Sequence, residues 1–240
     1  MKVGIMQPYF LPYIGYFQLI AAVDLFVVYD NIKYTKKGWI NRNRLLQGDT
    51  DGIFSLPLKK DSDALDVVER ALAADFNRQK LLNQFIGAYR GAPYFEPCIE
   101  LLRSLVMNEE ANLFRYLHAS IVQTCKYLGI STRIEISSNV PADHAQKGED
   151  RVLSICAACH ADTYINTIGG LELYSRERFA REGIVLQFIR SLPVEYRQFG
   201  KAPFVPWLSM VDVMMFNPAD EIRAVSYTHL RAHETKANIV

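Results

Sequence analysis

The chain has 240 residues, half of them apolar and 22% charged, and its 27 basic and 26 acidic side chains leave a formal net charge of +1. That is ordinary globular composition. It excludes a global field for nucleic acid or an anionic membrane, so any basic site must be local. No run of about 18 apolar residues is available for a membrane span, and Met1-Lys2-Val3 enters a strand pattern directly, without the charged and apolar regions of a secretory leader. A cytoplasmic protein is expected, with Cys98, Cys125, Cys156 and Cys159 as buried thiols.

In chain order, residues 3–6 are a short apolar run ending in Gln7-Pro8, residues 13–23 carry apolar positions at helical spacing, and residues 25–30 are a nearly unbroken apolar strand. Strand, helix, strand within thirty residues predicts a parallel crossover unit, and unalternating runs suit strands buried on both faces. Residues 38–46 and 52–58 read as a hairpin, with Gly48-Asp49 and Asp51-Gly52 supplying turn chemistry. Helices are predicted over 64–74, 78–90, 94–107 and 111–128, with Gly91-Ala92-Pro93 as a break and Gly129 as a stop. The α/β rhythm returns with strands at 133–136, 163–166 and 184–189, helices at 151–161 and 175–182, and a last helix at 209–216 ended by Asn217-Pro218. The expected fold is α/β: one domain over residues 1–225 with a Rossmann-like parallel sheet and a helical insertion at about 61–128.

Two metal-like strings need weighing. Cys156-Ala157-Ala158-Cys159-His160 matches the attachment motif of c-type haem, but it sits in an amphipathic helical pattern that turns Ile155 and Cys159 inward. The reading adopted is a core helix rather than a haem, redox or metal pair. His229 and His233 have the spacing of a helical metal pair. They lie in Ser226-Tyr227-Thr228-His229-Leu230-Arg231-Ala232-His233-Glu234-Thr235, which is similar to translated sequencing-adaptor read-through. Residues 226–240 are therefore expected to be a non-native, disordered tail, and no metal site is expected.

Four segments carry a resemblance: residues 6–20 (MQPYFLPYIGYFQLI), 36–44 (KKGWINRNR), 56–60 (LPLKK) and 207–217 (WLSMVDVMMFN). Together they resemble the WbqC-like family over residues 1 to about 224. The resemblance implies a bacterial gene found among surface-polysaccharide (lipopolysaccharide, O-antigen) and modified-sugar clusters, without a settled reaction. A second resemblance is to the nucleotidylyltransferases and class I synthetases (HUP-like folds), which place His-x-Gly-His just after the first strand. Tyr13-Ile14-Gly15-Tyr16 stands at that point here. Gly15 suits close backbone approach by a nucleobase, whereas phenols replace the imidazoles and bring no positive charge at pH 7.

Ligands of such a sheet bind beyond the carboxyl ends of its strands, here at 7–9 and 30–34. The helix starting near Pro12 aims free N–H groups at that corner. Gln7 leaves a buried strand with an amide that wants a partner; Gln7, Tyr16 and Asp30 are the candidate catalytic groups, Asp30 as a base or a ligand of a sugar hydroxyl. Tyr13 and Gly15 complete the corner. Lys36, Lys37, Arg42, Arg44, Lys59 and Lys60 place six cations within 25 positions. On an alternating strand Arg42 and Arg44 share a face, opposite Asn41 and Asn43, and are expected to clamp a diphosphate beside the face of Trp39. The opposing reading is a solvated edge that discourages strand pairing. Ser137, Ser138, Arg151 and Asn166, with Lys147, would form the second wall, or serve as loop caps. His118 and His144 are acid–base candidates that also read as structural. The expectation is a group transferase, for acyl or aminoacyl transfer to a phosphate-bearing sugar or nucleotide-sugar, with no cofactor beyond a nucleotide carried by the substrate and no nucleic-acid partner. The rivals are a non-catalytic nucleotide-sugar-binding or scaffold protein and an adenylate-forming enzyme.

Overall fold

The computed structural model describes residues 1–191, 195–200 and 203–228, over 224–228 the backbone alone. The first crossover forms as its pattern dictates: β1 (Lys2–Met6), α1 (Ile14–Ala21) and β2 (Leu25–Val28). Next come the hairpin β3 (Arg42–Gln47) and β4 (Thr50–Ser55), then the helices α2 (Arg78–Tyr89), α3 (Phe95–Val106) and α4 (Leu113–Tyr127). Gly48 takes φ 63° in the two-residue turn between Gln47 and Thr50, a conformation glycine adopts freely. After β5 (Arg133–Ile136) the chain alternates through α5 (Gly148–Ala158), β6 (Thr163–Thr167), α6 (Arg176–Arg181) and β7 (Val185–Ile189), and ends in α7 (Met210–Phe216) and α8 (Ala219–Thr228).

The five-stranded sheet has the order β5-β2-β1-β6-β7, all pairs parallel, with Val3 opposite Leu25, Lys2 opposite Thr163 and Thr163 opposite Val185. Counting only these strands the order is 3-2-1-4-5, the Rossmann order, and the chain reverses direction across the sheet between β1 and β6. Both faces are covered, which explains the unalternating strands. Val3, Ile5, Leu25, Val27, Tyr164 and Leu186 pack with Val152, Ile155 and Phe179 of α5 and α6. Phe26, Val28 and Ile165 pack with α1 and the helical block in the larger cluster. A fully buried Phe or Leu contributes about 1.5–3 kcal/mol, so Phe17, Phe26 and Leu19, all essentially inaccessible, secure the β1–α1–β2 unit.

One predicted helix does not form. Residues 64–74 hold only a 3-10 turn, Val67–Glu69, with Asp66 and Glu69 in a capping box. The segment does not close into an α-helix because its backbone groups bond across to other segments: Val67 N–H to Ile32 O, Val68 N–H to Asp30 O, Leu72 N–H to Ala111 O and Ala73 N–H to Pro57 O. Alanine-rich helical propensity is a few tenths of a kcal/mol per residue, and a ladder to three neighbouring segments overrides it. Strand β3 begins at Arg42, later than expected. Residues 29–132 all lie between the adjacent strands β2 and β5. Helix α8 includes 226–228, the first residues of the expected tail, and 229–240 lie outside the described residues.

Candidate functional site

The segment after β1 turns a tight corner in which Leu11 adopts φ 45°, a strained region for a branched residue. Three hydrogen bonds hold it. Asn43 Nδ2 donates to Leu11 O at 2.9 Å, Ser209 Oγ donates to the same carbonyl at 2.6 Å, and Met210 N–H donates to Pro12 O at 2.9 Å. Phe10 N–H adds a bond to Ile40 O at 2.9 Å. The corner is thus fastened to β3 and to the start of α7, segments far apart in sequence. Tyr16 Oη donates to Gln7 O at 2.9 Å and Tyr9 Oη to Gln7 Oε1 at 3.1 Å, with the Tyr9 and Tyr16 rings 5.7 Å apart. Burial holds the Tyr16 phenol well above its ordinary value.

Beside this corner opens an aromatic recess of about 220 Å³, lined by Tyr9, Pro12, Tyr13, Trp39, Asn43, Arg44 and Trp207. Trp39 is 45% exposed and Trp207 50%, unusual for indoles unless a ligand or partner is to cover them. Tyr13 packs edge-on against Trp207 with centroids 6.1 Å apart. Trp207 has φ 61° and is held by its own carbonyl, which accepts from Arg44 Nη2 at 3.0 Å. Arg42 and Arg44 flank the Trp39 ring at 5.6 and 5.8 Å. They share a face, as the alternation required. Arg42 bonds the carbonyls of Gly38 and Lys37 (2.9 and 2.6 Å), and Arg44 reaches Asp51 (3.4 Å) as well as Trp207. Bonds from a fork of fixed geometry to backbone beside Trp39 and at Trp207 hold the two indoles in position.

A second recess, about 630 Å³, lies under the next stretch of chain and is lined by Tyr34, Lys36, Asn41, Leu56, Pro57, Leu58, Lys59, Lys60, Asp61 and Arg70. Tyr34 Oη donates to Asn41 Oδ1 at 2.8 Å and Asn41 Nδ2 to Leu56 O at 2.8 Å. A third, about 440 Å³, sits past the end of β2, where Lys33 pairs with Asp66 at 2.9 Å and Arg151 bonds Asn31 O at 2.9 Å above the Tyr29 ring. His144 and Lys147 also line it. His144 Nε2 lies 2.9 Å from Val140 O; a carbonyl only accepts, so that nitrogen carries the proton.

Among the described residues, the site residues expected in one cleft are spread over at least three recesses. Tyr13, Trp39, Asn43 and Arg44 come together in the first, Lys36, Asn41 and Lys59 in the second, and Arg151 is in the third. The other expected site residues are engaged in the fold. Asp30 is buried and its Oδ1 accepts from Ser138 N–H at 3.0 Å. Ser137 is buried beside that turn, and Asn166 donates to Tyr164 Oη at 3.0 Å. A Cβ on Gly15 would collide with Ser191 Oγ and the Tyr13 ring, so the space reserved for a nucleobase is filled by the chain itself. Lys37 is exposed and offers its carbonyl to Arg42. Reading residues in isolation missed Tyr9, Trp207 and Arg70. Trp207 heads one of the four motif segments, whereas Arg70 lay in the helix that did not form.

The remaining titratable candidates lie against the packed interior. Burial pushes the Cys98, Cys125 and Cys156 thiols up to about 12, and thiols so held are inert; Cys159, expected to be buried, is only partly so, and its thiol is raised. Burial lowers His118, which lies against Phe114. Among the described residues, no group of three or more His, Cys, Asp or Glu is placed to hold a metal ion, and no helix is long and apolar enough to cross a membrane.

Against known proteins, the model of the WbqC-like protein family matches residues 7–224. The chain is also similar to the uncharacterized protein Rv1507c of Mycobacterium tuberculosis, 28% identical over 167 residues that cover 69% of this chain and 71% of the relative. All seven residues lining the aromatic recess fall in three of the motif segments, 6–20, 36–44 and 207–217.

Proposed function

The chain belongs to the WbqC-like protein family, and from that premise we propose that it is a group transferase of surface-polysaccharide or nucleotide-sugar modification, carrying an acyl or aminoacyl group to a phosphate-bearing sugar. The observation that carries this reading is the aromatic recess: two half-exposed indoles and Tyr13 around Arg44 and Asn43, all from family motif segments. Flat aromatic faces flanked by fixed hydrogen-bonding groups suit a sugar ring, whose C–H faces pack on indole while its hydroxyls find polar partners. In the transfer, the sugar amine bonds to the acyl carbon as that carbon's bond to the donor's leaving group breaks, and the amine proton passes to a base. Positioning and charge stabilisation would supply most of the rate.

A specific observation favours the rival reading, a protein that binds such a sugar without converting it: among the described residues, no carboxylate, imidazole or thiol lines the aromatic recess. Both tryptophans of the chain line it, so indole fluorescence reports its occupancy directly. Titration with a panel of sugar phosphates and nucleotide sugars is expected to change that fluorescence saturably, and Trp39→Phe or Trp207→Phe to weaken the ligand. Incubation with acyl or aminoacyl donors and mass analysis then separates the two readings. A modified sugar supports the transferase; a saturable ligand that is never converted supports the binding protein; a panel with no fluorescence response removes both. Pyrophosphate release from ATP would instead support the adenylate-forming alternative.

A further inference from the structure

Arg70 is 4% exposed, and among the described residues no carboxylate pairs with its guanidinium. One nitrogen, Nη1, donates to Ser62 O at 2.8 Å, the guanidinium lies 4.7 Å over the Tyr34 ring, and Nε is buried without a hydrogen-bond partner. A buried cation without a counter-charge is costly, and natural proteins pair such groups or let a ligand do so. Arg70 lines the second recess together with Lys36, Lys59 and Lys60, against one acid, Asp61. Lys36 is already tied to Asp63 at 2.9 Å. The positive charge on these walls thus exceeds the negative, in a chain whose overall charge is nearly neutral.

We propose that this recess is an anion site for a phosphate or diphosphate group, with Arg70 as its buried anchor and Lys59 and Lys60 as its rim. The backbone explains why Arg70 stands there. The 3-10 turn Val67–Glu69 ends at Arg70, whose backbone is extended, and the flanking N–H groups bond across to Ile32, Asp30 and Ala111, so the side chain at 70 is laid on Tyr34. The Tyr34–Asn41–Leu56 hydrogen bonds fix the opposite wall. The buried guanidinium brings a fixed positive charge to the wall of the recess, and the two lysines add charge without demanding geometry. The site deepens the reading above and rests on it only for what the phosphate is attached to; the uncompensated charge at Arg70 calls for an anion whether or not a sugar sits on the indoles.

The test is calorimetric titration of the intact chain with inorganic pyrophosphate. Saturable binding is expected, weakened about tenfold to hundredfold in Lys59→Gln/Lys60→Gln, whose exposed positions leave the fold unchanged. Arg70→Gln should lose binding altogether, and the lysine double variant keeps the test decisive if Arg70→Gln does not fold. Pyrophosphate that binds wild type and the lysine variant alike, or neither at millimolar concentration, overturns the proposal. A nucleoside diphosphate binding no tighter than pyrophosphate supports a site reading phosphate alone; tighter binding supports one that extends to the nucleoside. Pyrophosphate binding in a chain whose indole fluorescence responds to no sugar keeps this site and removes the sugar reading. A sugar response with no pyrophosphate binding does the reverse.

Discussion

Asp212 shows how much one side chain of the last motif decides. It is fully buried on α7, and its carboxylate accepts from Tyr89 Oη at 2.9 Å, Tyr196 Oη at 2.5 Å and Gln198 Nε2 at 2.7 Å. Gln198 is held in orientation by Val205, to whose carbonyl it donates and from whose N–H it accepts. The network therefore fixes the strand of chain that delivers Trp207 to the aromatic recess. In Asp212→Asn the amide oxygen keeps the Tyr196 and Gln198 bonds only by turning its NH2 toward Tyr89 Oη, whose own proton then has no acceptor. A loss of about 1–3 kcal/mol in urea unfolding is expected, the cost of one buried unsatisfied donor. Burial raises the Asp212 carboxyl above its ordinary value, with Tyr196, Gln198 and Tyr89 opposing. A raised folded-state value stabilises below the unfolded value of 3.8 and loses that contribution as pH rises through the folded one. The margin of wild type over Asp212→Asn should accordingly narrow as pH rises from below 4 toward neutrality. A margin that widens instead would reject the assignment.

Among the elements, the β3 edge and the corner after β1 depend on each other. Asn43, a poor strand former, sits in β3 because its side chain serves the corner: Nδ2 donates to Leu11 O and Oδ1 accepts from Arg44 N–H. Asn43→Asp puts a second acceptor against that carbonyl while Leu11 stays strained. We expect a loss of at least about 1–3 kcal/mol by circular dichroism in denaturant, together with a changed indole emission as Trp39 and Trp207 shift. Retention of both signals would show that Asn43 faces the recess as a ligand group only. The sequence revealed that Asn41 and Asn43 were out of place in a strand, and that Arg42 and Arg44 shared a face. It did not reveal that Arg42 would bond backbone carbonyls or that Arg44 would reach Trp207 O, since those come from loops whose paths no local pattern specifies.

At the scale of the molecule, one segment borders all three recesses: Asn31 and Lys33 line the third, Tyr34, Lys36 and Asn41 the second, and Trp39 the first. A ligand that binds only the folded state at about 100 times its dissociation constant adds about 2.7 kcal/mol of stability. If the aromatic and Arg70 recesses are filled by separate ligands, the thermal shifts from a sugar and from pyrophosphate should be additive within about 0.5 kcal/mol. A shortfall would mean that the two compete for one position, and an excess that segment 31–41 is ordered jointly by both.

The sequence by itself determined the parallel sheet, since runs such as 25–28 are apolar at every position and only a doubly covered strand needs that. It also determined the first crossover, the hairpin with its Gly48 turn, the helices from 78 to 127, and the family. Tertiary structure decided the rest. The segment around Arg70 gave up its helical pattern because its N–H groups found carbonyls on Ile32, Asp30 and Ala111. Gly15 proved to be packing space for Tyr13 and Ser191 rather than a seat for a base. Of the six cations foreseen as one cluster, five were parted among carbonyls, carboxylates and two recesses, and Lys37 stayed exposed. Periodicity reports which face of an element is buried, and it carries no information about which distant backbone atom will meet a given donor; that is fixed only when the chain between them has folded.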